Sequence, residues 1–135
     1  MSALPPETAL LPHALPFDSD LRLYLVCIRR MAAHGMQDAR ASLLMLDRFG
    51  LDWRRRLVLL RAFVHELAQT SNRRIRLAPC CAGRMTADEA QIIAVLENAN
   101  EVPEQAAATL AALTANRAVA SPLSLAVMLA RPAEW

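Results

Sequence analysis

The chain contains no lysine: all fifteen of its basic residues are arginine. A GC-rich coding bias would produce that pattern globally. A site that demands bidentate pairing would produce it locally, because a guanidinium makes such a fork and an ammonium does not. Aromatic residues are only 4% of the 135 residues and β-branched residues are sparse, so strands are disfavoured. Glycine occurs three times, and no glycine-rich phosphate-cradling loop is present. There is no Ser/His/Asp set and no convincing carboxylate pair, which leaves hydrolytic catalysis without support. No motif calls for a cofactor. The three cysteines form no C-x-x-C and no even disulfide framework, which points to a reducing, cytoplasmic compartment. The longest uncharged apolar run, residues 118–130, is too short to span a bilayer and contains Pro122. The N-terminus lacks a basic n-region and is broken by Pro5, Pro6, Pro12 and Pro16, so no secretory signal is expected.

What is present is helix-forming. The apolar fraction of 55% exceeds the usual ~45–50%, and alanine and leucine supply most of it. Such a composition disfavours disorder, and the excess favours a homodimer. The length fits one domain that buries its own core. The expected architecture is an all-α, single-domain bundle of five to six helices over residues 18–135, behind a proline-punctuated arm over residues 1–17. Leu4, Leu10, Leu11, Leu15 and Phe17 give that arm apolar teeth for the core or a neighbour.

Start and stop signals place the helices. The first is predicted from a cap at Asp18 or Ser19 to His34, stopped by Gly35. Leu21, Leu25, Ile28 and Ala32 share one face, Arg22 and Arg29 another, and Cys27 reads as a small core residue beside Leu23, Tyr24 and Met31. A short turn leads to a second helix from about Asp38 to Phe49, with Ala39, Leu43, Leu46 and Phe49 inward. A third, capped by Asp52, carries the stripe Trp53, Leu57, Leu60, Val64, Leu67 with Leu59 and Phe63 beside it; it is predicted to be central. Thr70-Ser71-Asn72 stops it. Residues 73–77 alternate weakly, as a short strand or connector that would need the arm or a symmetry mate to pair. Thr86-Ala87-Asp88-Glu89 is a capping box opening a fourth helix to about Asn98. A fifth begins at Pro103 and runs to about Asn116, and a sixth opens at Ser121-Pro122 and stops at Pro132. Leu110, Leu113, Leu125, Val127, Met128 and Leu129 are their core candidates.

Charge is segregated. Residues 22–84 hold thirteen arginines against four acids, a net +9, while residues 1–21 carry −3 and residues 85–135 carry −4. Such a dipole suits an acidic partner or the protein's own acidic half. Arg54, Arg55 and Arg56 lie in the first turn of the third helix, where cations oppose the helix dipole; with Arg61 they form a candidate anion or acidic-partner site. The alternative is a solvated face offset by acids. Following Gly50, these arginines also invite a helix-turn-helix reading. It is disfavoured, because Leu57-Val58-Leu59-Leu60 leaves little polar surface for a groove.

Cys80 and Cys81 are the other candidates. Zinc would need Cys27, His34 or His65 as further ligands, and adjacent cysteines fit one tetrahedral ion poorly, so no metal is assigned. Arg84 and the oncoming helix could instead lower a thiol pKa, giving a reactive pair at Cys80, Cys81 and Arg84, although the spacing is too short for a phosphatase-type loop. The bland reading is two small residues packing a Pro–Gly bend. Residues 29–35, the run from Phe49-Gly50 to Arg61-Ala62, and residues 78–89 resemble an uncharacterised family of small bacterial proteins of unknown function, over about residues 20–97. The resemblance implies a free-standing bacterial domain and assigns no functional residue. The reading is thus a non-enzymatic interaction or regulatory module with an arginine-rich face, a thiol- or metal-dependent site being its rival.

Overall fold

Capping chemistry decides where this chain turns. In the computed structural model, which describes residues 11–131, the Asp18 carboxylate accepts the amides of Asp20 and Leu21 at 2.8 and 3.0 Å and starts α1 (Ser19–His34). Gly35, at φ +104°, ends it in a backbone conformation that side chains with a Cβ avoid. Asp38 caps α2 (Ala39–Phe49) by accepting the Ala41 amide at 3.0 Å. A 3₁₀ turn (Gly50–Asp52) leads directly into α3 (Trp53–Thr70). Asp52 therefore makes no side-chain cap, contrary to expectation; its carboxylate turns to Arg56 at 2.7 Å.

The capping box at α4 (Ala87–Asn98) is complete: Glu89 N–H donates to Thr86 Oγ1 at 3.0 Å, and Thr86 N–H donates to Glu89 Oε1 at 2.8 Å. Helices α5 (Pro103–Thr114) and α6 (Ala120–Ala130) follow, so the fold is all-α with six helices among the described residues. The expected stop at Pro132 lies outside them. The one sheet there is a two-residue antiparallel pair, β1 (His13–Ala14) with β2 (Arg84–Met85). Residues 73–77 form no strand; the arm reaches past them to β2.

Helix α3 is packed against α1, α2 and α6, and α4 against α5, around one main core. Phe63, Leu60, Ile92, Leu110 and Leu113 are its fully buried centre, each side chain contributing roughly 1.5–3 kcal/mol. A smaller cluster of Leu25, Met85 and Ile93, with Leu15 and Leu21 beside it, seats the arm and β2 on α1 and α4. Helix α2 is rotated from its predicted face: Ala41 and Met45 are buried, whereas Leu43 and Leu46 are exposed. The α1 face departs likewise, with Ala32 exposed and Arg29 buried. Met128 and Phe17 are exposed as well. No described helix is long and apolar enough to cross a membrane.

Candidate functional site

The buried charge at the heart of the molecule is one the sequence reading placed with Arg22, on a different face of the first helix from its apolar stripe. Arg29, 2% exposed, forms a fork on Glu89, 0% exposed: Nε donates to Oε2 at 2.7 Å and Nη2 to Oε1 at 3.0 Å. The same guanidinium donates to the carbonyls of Ala82 and Arg84 at 2.9 and 2.8 Å. Glu89 in turn accepts the amides of Ala78 and Thr86 at 3.1 and 2.8 Å. Every buried polar side-chain atom among the described residues has a partner, which is the condition under which a buried ion pair is tolerated.

This pair clamps the loop between α3 and α4 from beneath. Asp88, the neighbouring carboxylate, extends the clamp by accepting the Arg76 amide at 2.7 Å and pairing with Arg73 at 3.1 Å. Arg73 also donates to the Leu113 carbonyl at 2.7 Å, and Thr86 Oγ1 donates to the Arg76 carbonyl at 2.8 Å. A signal for Arg29 existed: it lies four residues after Leu25 and one after Ile28, inside the apolar phase of α1.

Cys80 and Cys81 occupy the centre of the β-turn that this clamp holds. Ala82 N–H donates to the Pro79 carbonyl at 3.0 Å, and the two Sγ atoms stand 3.4 Å apart. Cys81 is exposed and Cys80 half-buried. Arg84 does not face them; it donates to the carbonyls of Leu11 and Pro12, both at 2.9 Å, and ties down the arm. The nearby cation is Arg30, paired with Asp38 at 2.7 Å. That hydrogen bond is the main cause raising the Arg30 pKa, and the charge of Cys80 adds to it. The same bond holds Asp38 below the usual carboxylate range. Hydrogen bonding and charge from Cys80 push the Cys81 thiol up. Cys27 is apart from these, buried in the core with its thiol near the Ala41 carbonyl at 3.8 Å and its pKa pushed to about 12 by burial. His34 and His65 are exposed on α1 and α3, and no three His, Cys, Asp or Glu side chains converge on one point among the described residues.

The arginine cluster on α3 is divided. Arg56 donates to Asp52 and to Tyr24 Oη, both at 2.7 Å, and covers the Phe49 ring at 4.2 Å. It lines a cleft of about 280 Å³ whose rim carries Asp18, Asp20, Glu97 and Glu101. Arg61 donates to the Met36 carbonyl at 2.8 Å and to Ser42 Oγ at 3.3 Å. Arg55 reaches the Met128 carbonyl at 2.9 Å and Asp52 at 3.7 Å. Arg54 alone stays outward, over Trp53 at 5.4 Å. The dipole conflict is offset by Asp52, and the Trp53 amide is occupied by the Gly50 carbonyl of the 3₁₀ turn. The helix start is therefore not an open ring of donors.

Free cations lie elsewhere. Arg74 and Arg76 are exposed, their guanidinia have no hydrogen-bond partner among the described residues, and they line a groove of about 790 Å³ with Leu11, Pro12 and Thr86. Their two-residue spacing in a weakly alternating segment was the available signal. No curated protein and no solved structure matches the chain. A family model does match, over residues 4–134, and takes in the arm and the last two helices beyond the stretch on which the resemblance rested; the chain belongs to that family, a family of unknown function (DUF6628).

Proposed function

We propose that the protein is a non-enzymatic interaction module that receives an acidic, extended segment of a partner protein along residues 74–77. The observation that carries this reading is the two-sidedness of that segment. Arg76 directs both its N–H and its C=O at the first turn of α4, where Asp88 and Thr86 bind them, and the Ala78 amide follows to Glu89. The N–H and C=O of Ile75 and Leu77 have no hydrogen-bond partner among the described residues. In extended backbone, alternate residues turn their polar groups to opposite edges, so the free edge is the one away from α4.

Next to that edge is an apolar groove of about 380 Å³, lined by Ile28, Ala32, Val64, Ala68, Ile75 and Leu77. A strand added there would bond through its backbone, drop alternate apolar side chains into the groove, and turn its acids toward Arg74 and Arg76. The +9 carried by residues 22–84 favours such an acidic partner. This moves the acidic-partner reading from Arg54, Arg55, Arg56 and Arg61, whose donors are mostly occupied, to Arg74 and Arg76. A bacterial, cytoplasmic setting belongs to the same proposal. So does a homodimer, for which Leu43, Leu46 and Leu51 offer exposed apolar side chains.

Fluorescence anisotropy with a labelled alternating glutamate–valine peptide tests the docking. Binding is expected, weakening with salt because exposed charges are screened. The Arg74→Gln, Arg76→Gln double variant should bind roughly tenfold more weakly, as two exposed ion pairs together supply about 1.4 kcal/mol. Equal binding by that variant, or by a neutral glutamine–valine peptide, overturns the reading. Light scattering that gives the monomer mass across micromolar concentrations removes the homodimer.

A further inference from the structure

Independently of the docking segment, we propose that Cys80 and Cys81 form a reversible dithiol–disulfide site that reacts with small-molecule disulfides of the glutathione class. Three observations converge on it. The Sγ atoms are already in contact at 3.4 Å, which is where closure of the eight-membered ring of adjacent cysteines must start. Both cysteines are central residues of one β-turn, closed by the Ala82 amide on the Pro79 carbonyl at 3.0 Å. The turn is anchored at both ends by one buried ion pair, Glu89 holding the Ala78 amide and Arg29 the Ala82 carbonyl. A turn so fixed presents the two thiols together instead of splaying them.

A cation stands near the pair: Arg30 is within electrostatic reach of both thiols. One thiol attacks and the other resolves, as in the order Cys80 then Cys81. The Cys80 thiolate attacks one sulfur of the glutathione disulfide; its S–S bond breaks and one glutathione leaves as thiolate. The Cys81 thiolate then attacks Cys80 Sγ, the mixed disulfide breaks, and the second glutathione leaves. The two protons from Cys80 and Cys81 end on the two glutathione thiols. Two protein thiols are oxidised and one small-molecule disulfide is reduced. Cys27 takes no part, because it is fully buried and its thiol is held protonated.

The test uses the whole reduced protein, incubated with defined ratios of glutathione disulfide to glutathione, quenched by alkylation and read by intact mass and peptide mapping. Cys80 and Cys81 should be lost together into one intramolecular disulfide, with no glutathione retained and Cys27 alkylated only after unfolding. The Cys81→Ser variant should stop at a glutathione adduct on Cys80. A persistent adduct on the wild-type protein, a disulfide between two chains, or no thiol loss at any ratio overturns the proposal.

Discussion

Replacing Glu89 by glutamine is the sharpest perturbation this structure offers. The carboxylate is fully buried and accepts four hydrogen bonds: two from Arg29, one from the Ala78 amide and one from the Thr86 amide. All four partners are donors. Glutamine keeps one acceptor oxygen and turns an NH₂ toward donors, and the Arg29 charge loses its counter-ion in the core. Removing one partner of a buried pair costs about 3–5 kcal/mol, a third or more of the ~5–15 kcal/mol that holds a typical domain together. At roughly 3–5 °C per kcal/mol for a chain of this size, the melting point should fall by about 10–20 °C. Urea titration followed by far-UV circular dichroism gives the free energy directly, and the m-value should be unchanged.

The paired apolar variant, Arg29→Met with Glu89→Leu, makes the reasoning more exposed. Elsewhere such a swap is often neutral or stabilising. Here it would strand the Ala82 and Arg84 carbonyls and the Ala78 and Thr86 amides, each worth about 1–3 kcal/mol if left unpaired. The variant should therefore remain several kcal/mol less stable than the wild type. A loss below about 1 kcal/mol in Glu89→Gln, or full recovery in the double variant, would refute the clamp.

Alkaline unfolding offers a second prediction: the Cys27 thiol ionises near 9.0 when unfolded and at about 12 when folded. The folded chain then holds the extra proton between those values, so stability should decline as pH rises above 9, by up to ~1.4 kcal/mol per pH unit. Tyr24, raised by its burial, adds to the decline above pH 10; urea midpoints for Cys27→Ala should show a shallower slope, and an unchanged one contradicts the assignment. On α2, Leu43→Gln and Leu46→Gln should each cost the monomer under about 0.5 kcal/mol, whereas Met45→Ala should cost it about 2–5 kcal/mol by leaving a cavity. The reverse order in thermal melts would restore the face first read from the sequence. Ala115 ends α5 at φ +51°, so Ala115→Gly should relieve left-handed strain and stabilise by up to ~1 kcal/mol, measured by the same melts.

Elements governed by local chemistry were legible in the sequence. Asp18, Gly35, Asp38, Thr86, Glu89 and Pro103 bound their helices as their cap and first-turn preferences require, and in the α3 stripe Leu57, Leu60 and Leu67 are buried and Val64 partly so, as its period demands. What escaped was decided by contacts between distant parts of the chain. Helix α2 has two apolar stripes, Ala41/Met45 and Leu43/Leu46, and the positions of α1 and α3 select the first. Glu89 read as a capping residue, which it is, but its larger role depends on Arg29, sixty residues earlier. Arg84 adjoins the thiols in sequence, yet turns to the arm because β1 pairs beside it. The thiol pair itself was visible; the cation beside it came from α1.

The absence of lysine has a local meaning at several of these positions. Arg29 bonds one carboxylate and two carbonyls at once, Arg73 one carboxylate and one carbonyl, and Arg84 two carbonyls. An ammonium is a compact point charge and does not spread donors across a planar fork to reach such separated acceptors. Arg22, Arg55 and Arg61 bond backbone carbonyls too, so arginine here fastens loops and helix ends. The same bonds also reinterpret the +9 of residues 22–84. Of those thirteen arginines, nine donate side-chain hydrogen bonds inside the protein: Arg22, Arg29, Arg30, Arg48, Arg55, Arg56, Arg61, Arg73 and Arg84. Of the thirteen, Arg40, Arg54, Arg74 and Arg76 have side chains that donate none among the described residues. Arg40 and Arg54 are carried by separate helices, whereas Arg74 and Arg76 stand two residues apart on a segment whose outer backbone edge is free. A diffuse charge asymmetry thereby narrows to one short stretch, and that stretch is where the proposed acidic partner would find both charge and backbone to bind.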